Sequence, residues 1–240
     1  MEMNEHNHES NDSDVMYDTD DTDNTDDTDT YSISKYTLDK LQWKQCKTYE
    51  DVRLTMLEFL KGNINWAPTH YGPLLDKDPI YKQKLIQLNS LGVISINGQE
   101  YIKEQTINSQ FMQREYVVFG YKLKINESIT NVLTKFNEAD FFYQALDYNT
   151  NTYYQTNTLD TIDFDNPEFW VTKTKNYDTQ TTDNHTHLVC PEDIANVFNE
   201  YQKIVNNFHD DVIIFEVWSK SWKRPKNGIY LLDKIINCFN

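Results

Sequence analysis

Four segments of the chain carry side chains whose type and spacing suit chemistry. Residues 219–227 (SKSWKRPKN) hold Lys220, Lys223, Arg224 and Lys226 around Trp222. Such cations can meet an anion, and an indole can stack on a base. Gln113-Arg114 offers a rigid guanidinium fork suited to a carboxylate or phosphate. Arginine is scarce, with three Arg (Arg53, Arg114, Arg224) against 19 Lys, so its use at 114 is suggestive. Residues 96–99 (INGQ) pair a turn-forming Asn97-Gly98 with the Gln99 amide, which donates and accepts at once. Residues 183–190 (DNHTHLVC) place His185 and His187 on one side of an extended segment, a two-His metal pair with Asp183 or Cys190 nearby.

Each has a plainer reading. The Asn-Gly turn is an ordinary hairpin signal, Arg114 a surface ion pair, and 219–227 a solvated loop. No HExxH or CxxC supports the histidine pair, so the sequence assigns no metal and no cofactor. His70, beside Tyr71, has the chemistry of a general base, but a lone histidine in an ordered loop is more often structural. Walker A, GxGxxG, GxSxG and kinase signatures are absent, and the acids beyond the N-terminal tail suggest no carboxylate pair.

The elements that must position these residues follow from periodicity. Thr48 and Asp51 form a capping box before Val52, Met56, Phe59 and Leu60, and Gly62 ends that helix. Residues 63–78 read as an ordered loop. Asp78-Pro79 opens a second helix with Tyr81, Leu85, Leu88 and Leu91 inward, ended by Gly92. Val93–Ile96 is a strand, Asn97-Gly98 a type I′ turn, and Gln99–Lys103 its returning partner. Tyr116–Ile125 is a longer strand, and Asn126 caps a helix with Ile129, Val132, Leu133 and Phe136. Strands are predicted at Phe141–Leu146 and Phe169–Thr172, with polar loops over 147–168 and 174–189. Pro191 opens a helix carrying Ile194, Val197, Phe198, Tyr201, Val205 and Phe208 on one face. Val212–Trp218 (VIIFEVW) is the most apolar strand and is expected at a sheet's centre. A closing helix carries Leu231, Leu232, Ile235, Ile236 and Phe239. The expected class is mixed α/β, a single sheet flanked by helices, over residues 38–240.

The 240 residues carry a formal net charge of -16, with 38 acidic and 22 basic side chains. Residues 1–30 hold twelve of the acids and no Lys or Arg, so the rest is near balance at -4. This Asp/Thr-rich stretch repels itself and has nothing to bury, so residues 1–34 are expected to be a disordered acidic tail. A nucleic-acid binder built on overall basic charge is excluded, because phosphate binding needs Lys and Arg to release counterions. No apolar run reaches the ~20 residues of a membrane span, and no signal peptide is expected at the N-terminus. Three cysteines (Cys46, Cys190, Cys238) form an odd set that points to free thiols in a reducing, intracellular compartment. The 19 Lys and 25 Asn suggest an AT-rich genome.

A resemblance rests on particular residues. Trp43, Thr48, residues 59–62 (FLKG), 70–73 (HYGP) and 88–95 (LNSLGVIS) with Gly98-Gln99 resemble a domain family of unknown function. That family is associated with actinobacterial proteins and occasional giant DNA viruses. Gln113-Arg114 before Gly120-Tyr121, and Trp222-Lys223-Arg224 before the last helix, are similar to its later motifs. The match spans about residues 43–121 and 212–236. It departs at Glu100, where the family has Pro, and at Lys223, where it has Gly. The resemblance implies no activity. It implies that Gln99, Arg114, Trp222 and Arg224 occupy the family's distinctive positions, and the Lys and Asn bias fits a giant-virus-like source.

The expected function is a ligand-binding or interaction module in which Gln99, Arg114, Trp222 and Arg224 line one polar cleft for an anionic or nucleotide-like ligand. One alternative is a hydrolase of a nucleotide or other phosphate-bearing small molecule, assisted by His70 or by His185 and His187. Another is a viral structural or host-interaction protein that meets a protein partner through its acidic tail, in the host cytoplasm or the virion.

Overall fold

The computed structural model describes residues 35–68, 78–156, 172–185, 203, 211–223 and 230–240. The expected tail, His70, His187, Cys190, Arg224 and, apart from Lys203, the helix from Pro191 lie outside the described residues. By its contacts the chain divides into Met1–Ser32 and Ile33–Asn240, and every described residue lies in the second unit.

The helices begin where caps dictate. α1 (Lys35–Gln45) precedes α2 (Tyr49–Lys61), whose Thr48–Asp51 capping box and left-handed Gly62 (φ 88°) stand as the sequence predicts. The α1 helix was not foreseen, because its apolar stripe is thin. It is held by Trp43, whose Nε1 donates to Trp66 O at 2.9 Å, and by Asp39, whose Oδ2 accepts from Asn65 N at 2.8 Å. α3 (Pro79–Ser90) starts on Asp78, which accepts from Ile80 N. α4 (Ile129–Glu138) is capped by Ser128, not Asn126. Asn126 instead takes the left-handed turn before it, at φ 68°. α5 (Leu231–Phe239) closes the chain as predicted.

The strands correct the expectation of a single sheet. The class is mixed α+β, with two antiparallel sheets among the described residues. The first contains β1 (Val93–Gln99), β4 (Tyr116–Tyr121), β5 (Phe141–Asp147), β6 (Thr152–Gln155) and β9 (Ile213–Ser219), in the order β1-β4-β9-β5-β6. The second contains β2 (Ile102–Gln105), β3 (Ser109–Gln113), β7 (Thr172–Asn176) and β8 (Thr182–His185), in the order β2-β3-β7-β8. The predicted polar loops thus contain β6, most of β7, and β8. Their sequences (TYYQ, TKTKN and TDNH) show no alternation of apolar and polar residues. Of the strand expected at Phe169–Thr172, only Thr172 is described, and it opens β7.

The predicted turn at Asn97-Gly98 is also corrected. Both residues lie inside β1, and neither takes the positive φ a type I′ turn requires. The register shifts between Ser95 and Asn97, a bulge rather than a hairpin. Gly98 has a different reason to be glycine. A Cβ there would lie 2.8 Å from the Tyr81 hydroxyl, which donates to Tyr116 O at 3.1 Å.

The five-stranded sheet has two chemically different faces. On the helix face, Phe119 stacks on Phe215 at 5.2 Å, and both meet Phe136 of α4. Phe239 of α5 packs on Phe119, Tyr121 and Phe136. The Tyr49 hydroxyl ties α2 to the sheet by donating to Gly92 O and Gly120 O at 2.8 and 2.9 Å. Residues one position out of phase face the other way. β9, the expected central strand, is central, paired with β4 on one edge and β5 on the other.

The steric account of Gly98 is testable by a double-mutant cycle. Gly98→Ala alone is expected to cost roughly 1–3 kcal/mol in urea unfolding. In a Tyr81→Phe background it should cost measurably less, because the obstructing oxygen is gone. Equal costs in both backgrounds would show that the Tyr81 hydroxyl does not set the requirement.

Candidate functional site

Three of the four segments singled out by chemistry meet at one end of the five-stranded sheet. The antiparallel register aligns Gln99 of β1 with Tyr116 of β4, Tyr116 with Trp218 of β9, and Trp218 with Phe142 of β5. Arg114 precedes this row by two residues and Trp222 follows it by four. The chain leaves the sheet for β2–β3 through Glu100 and Tyr101, and returns through Arg114 and Glu115. Ser219 N donates to Glu115 O at 2.9 Å, so pairing between β4 and β9 continues one step beyond Tyr116.

Arg114 and Glu115 are consecutive, both buried, and differently engaged. Glu115 turns to the helix face, where its Oε2 accepts from Leu231 N at 2.9 Å at the start of α5. By strand alternation Arg114 turns to the far face. Its guanidinium lies 4.3 Å above the Trp222 ring, and its NH1 donates to Ser219 O at 3.3 Å. Arg114 is only 2% exposed. The plainer reading of a surface position is therefore corrected: this guanidinium is buried and lies over an aromatic face.

The far face beside it combines rings with buried polar groups. Trp218 and Phe142 pack with ring centroids 5.8 Å apart, and the Lys220 ammonium sits 5.2 Å over Phe142. One residue row further in, Glu216 pairs in register with Gln144 and Val118. Gln144 Nε2 donates to Glu216 Oε2, and the Tyr153 hydroxyl donates to Gln144 Oε1. Glu216 is 1% exposed. Burial raises the Tyr116 hydroxyl pKa, and the nearby Glu216 charge raises it further. At the rim, Asp140 binds Lys234 at 3.0 Å and Lys220 at 3.6 Å, and chiefly Lys234 holds its carboxyl below the ordinary range.

Gln99 stands at the same sheet end as Arg114 and Trp222, whereas Arg224 lies outside the described residues. His185 ends β8 in the second sheet, and its partner His187 is not described. Among the described residues no three His, Cys, Asp or Glu side chains gather as a metal site. Glu115, Gln144, Glu216 and Trp218 were missed as site residues. A signal for two of them was present: Glu216 and Gln144 are the polar residues inside the apolar runs VIIFEVW and FFYQAL.

No protein-family model matches the chain, and no curated protein is similar to it.

Glu115 makes the protein's stability depend on pH. Burial pushes its carboxyl up to about 7 from an ordinary 4.5, partly opposed by the backbone N–H groups of Leu231 and Leu232. The folded chain therefore keeps a proton that the unfolded chain releases. The stabilisation is complete below the unfolded value and is lost as pH rises through about 7. Thermal melts at pH 5 and pH 8 should show wild type losing on the order of 1–3 kcal/mol from this group. Glu115→Gln, which keeps an acceptor for Leu231 N–H, should lose distinctly less. An unchanged difference would mean that Glu115 does not carry this titration.

Proposed function

We propose that the protein is a binding module for an anionic, nucleotide-like small molecule, seated on the far face of the sheet at the Arg114–Trp222 end. One observation carries the reading: a buried guanidinium stacked on a tryptophan, in a chain with only three arginines. A guanidinium fork has the geometry to meet an anionic group, and an aromatic wall suits a planar ring. Lys220 and Lys223 add exposed positive charge at the rim. Glu216 and Gln144 lie deeper and are hydrogen-bonding groups. A ligand would then orient with its anionic end toward Arg114 and the rim lysines. Its neutral, N–H-bearing end would face the Glu216 carboxylate, which repels anions and accepts from donors.

The buried Cys46 and Cys238 thiols support a reducing compartment. Both are free, burial raises both pKa values, and that of Cys238 reaches about 11. Both thiols therefore stay protonated and unreactive at neutral pH. Among the described residues no helix is long and apolar enough to cross a membrane.

A thermal-shift and calorimetric screen with nucleoside mono-, di- and triphosphates tests the reading. At least one should raise the melting temperature with a saturable dissociation constant. Trp222→Leu should weaken that affinity roughly tenfold or more, as expected for losing one stacking contact. Arg114→Lys, which keeps charge but loses the fork, should weaken it too. No stabilising nucleotide, or full affinity in Trp222→Leu, would overturn the reading.

A further inference from the structure

On the far face, the indole of Trp218 is a donor that the fold leaves unused. The Trp218 indole Nε1 is buried and has no hydrogen-bond partner among the described residues. Trp218 is 1% exposed, so water does not satisfy this donor from outside. Buried donors are almost always paired, because leaving one unpaired forfeits its hydration. Trp43 illustrates the rule in this chain: its Nε1 donates to Trp66 O. Phenylalanine at 218 would supply an apolar ring for Phe142 to pack against without the orphan N–H. Position 218 is also central to the proposed site, aligned with Tyr116 and Phe142 and followed immediately by Ser219, whose carbonyl accepts from Arg114.

We propose that Trp218 is a specificity-determining residue of this site, its indole N–H donating to a carbonyl or ring-nitrogen acceptor on the base of a nucleotide ligand. The inference rests on the nucleotide-like reading above and adds to it which end of the ligand Trp218 reads. Arg114 and the rim lysines hold the phosphate, Trp222 supplies the stacking surface, and Trp218 recognises the ring. A sugar phosphate without a base satisfies only the first of these. Glu216 and Gln144, beside Trp218 on the same face, favour a base that also carries N–H donors.

The test measures affinities for the four ribonucleoside monophosphates and for ribose 5-phosphate, in wild type and Trp218→Phe. Wild type should prefer its best nucleotide over ribose 5-phosphate by tenfold or more. Trp218→Phe should bind that nucleotide about tenfold more weakly, ~1.4 kcal/mol, with ribose 5-phosphate unchanged. Its melting temperature without ligand should fall, because phenylalanine leaves part of the indole's volume unfilled. A purely structural tryptophan would show that fall with unchanged selectivity. Full nucleotide affinity in Trp218→Phe would overturn this inference while leaving the binding module intact. Absence of any nucleotide binding by wild type would overturn both. Should Trp218→Phe not fold, wild-type discrimination decides: a preference below about threefold over ribose 5-phosphate overturns the proposal.

Discussion

The fold depends on the burial of β9 on both edges and both faces at once. Its backbone is committed to β4 and β5, and its helix-side residues Phe215 and Val217 are sealed in the aromatic core. That leaves Ile214, Glu216 and Trp218 to define the far face, also under cover. A carboxylate in such a strand must be paired or become very costly. Gln144, its register partner on β5, supplies the bond, and Tyr153 on β6 supports Gln144 in turn. One charged residue in the central strand therefore dictates polar residues on two neighbouring strands.

The second constraint is topological. Between β1 and β4 the chain makes an excursion into the smaller sheet, so it crosses the end of the larger sheet twice. The crossings are where Glu100, Arg114 and Glu115 sit. Alternation there sends Glu115 to cap α5 and Arg114 to the opposite side, onto Trp222. Neither residue could exchange roles with the other: a carboxylate suits N–H groups at a helix start, and a guanidinium suits a ring face. The candidate site is thus a by-product of how the two sheets are joined. The Lys84–Asp233 ion pair between α3 and α5 steadies the helix layer behind that junction.

What was legible in the sequence followed strong local chemistry. The Thr48 capping box, Asp78-Pro79, Gly62 and the apolar run of β9 each specify their element through nearest neighbours, and each is found as expected. Asn97-Gly98 misled because its local signal is a turn, whereas long-range pairing with Val118 and Val117 makes it strand. β6, β7 and β8 were illegible because TYYQ, TKTKN and TDNH carry no apolar–polar alternation, so only pairing partners define them. For the candidate site, Arg114 and Trp222 stood out by composition. That they touch could not be read, since it depends on a register linking residues more than a hundred positions apart. Trp218 was hidden for another reason: nothing in a sequence distinguishes a tryptophan with a satisfied N–H from one without.

The proposed seating of a ligand on the far face, at the Trp218–Trp222 end, is tested most directly by the indole N–H resonances of the five tryptophans in a 15N-labelled sample. Saturation with the best-binding nucleoside monophosphate should move the Trp218 and Trp222 signals and leave Trp43, bonded to Trp66 O beneath α1, in place. Trp218 and Trp222 signals that stay fixed while the nucleotide is bound would contradict the account.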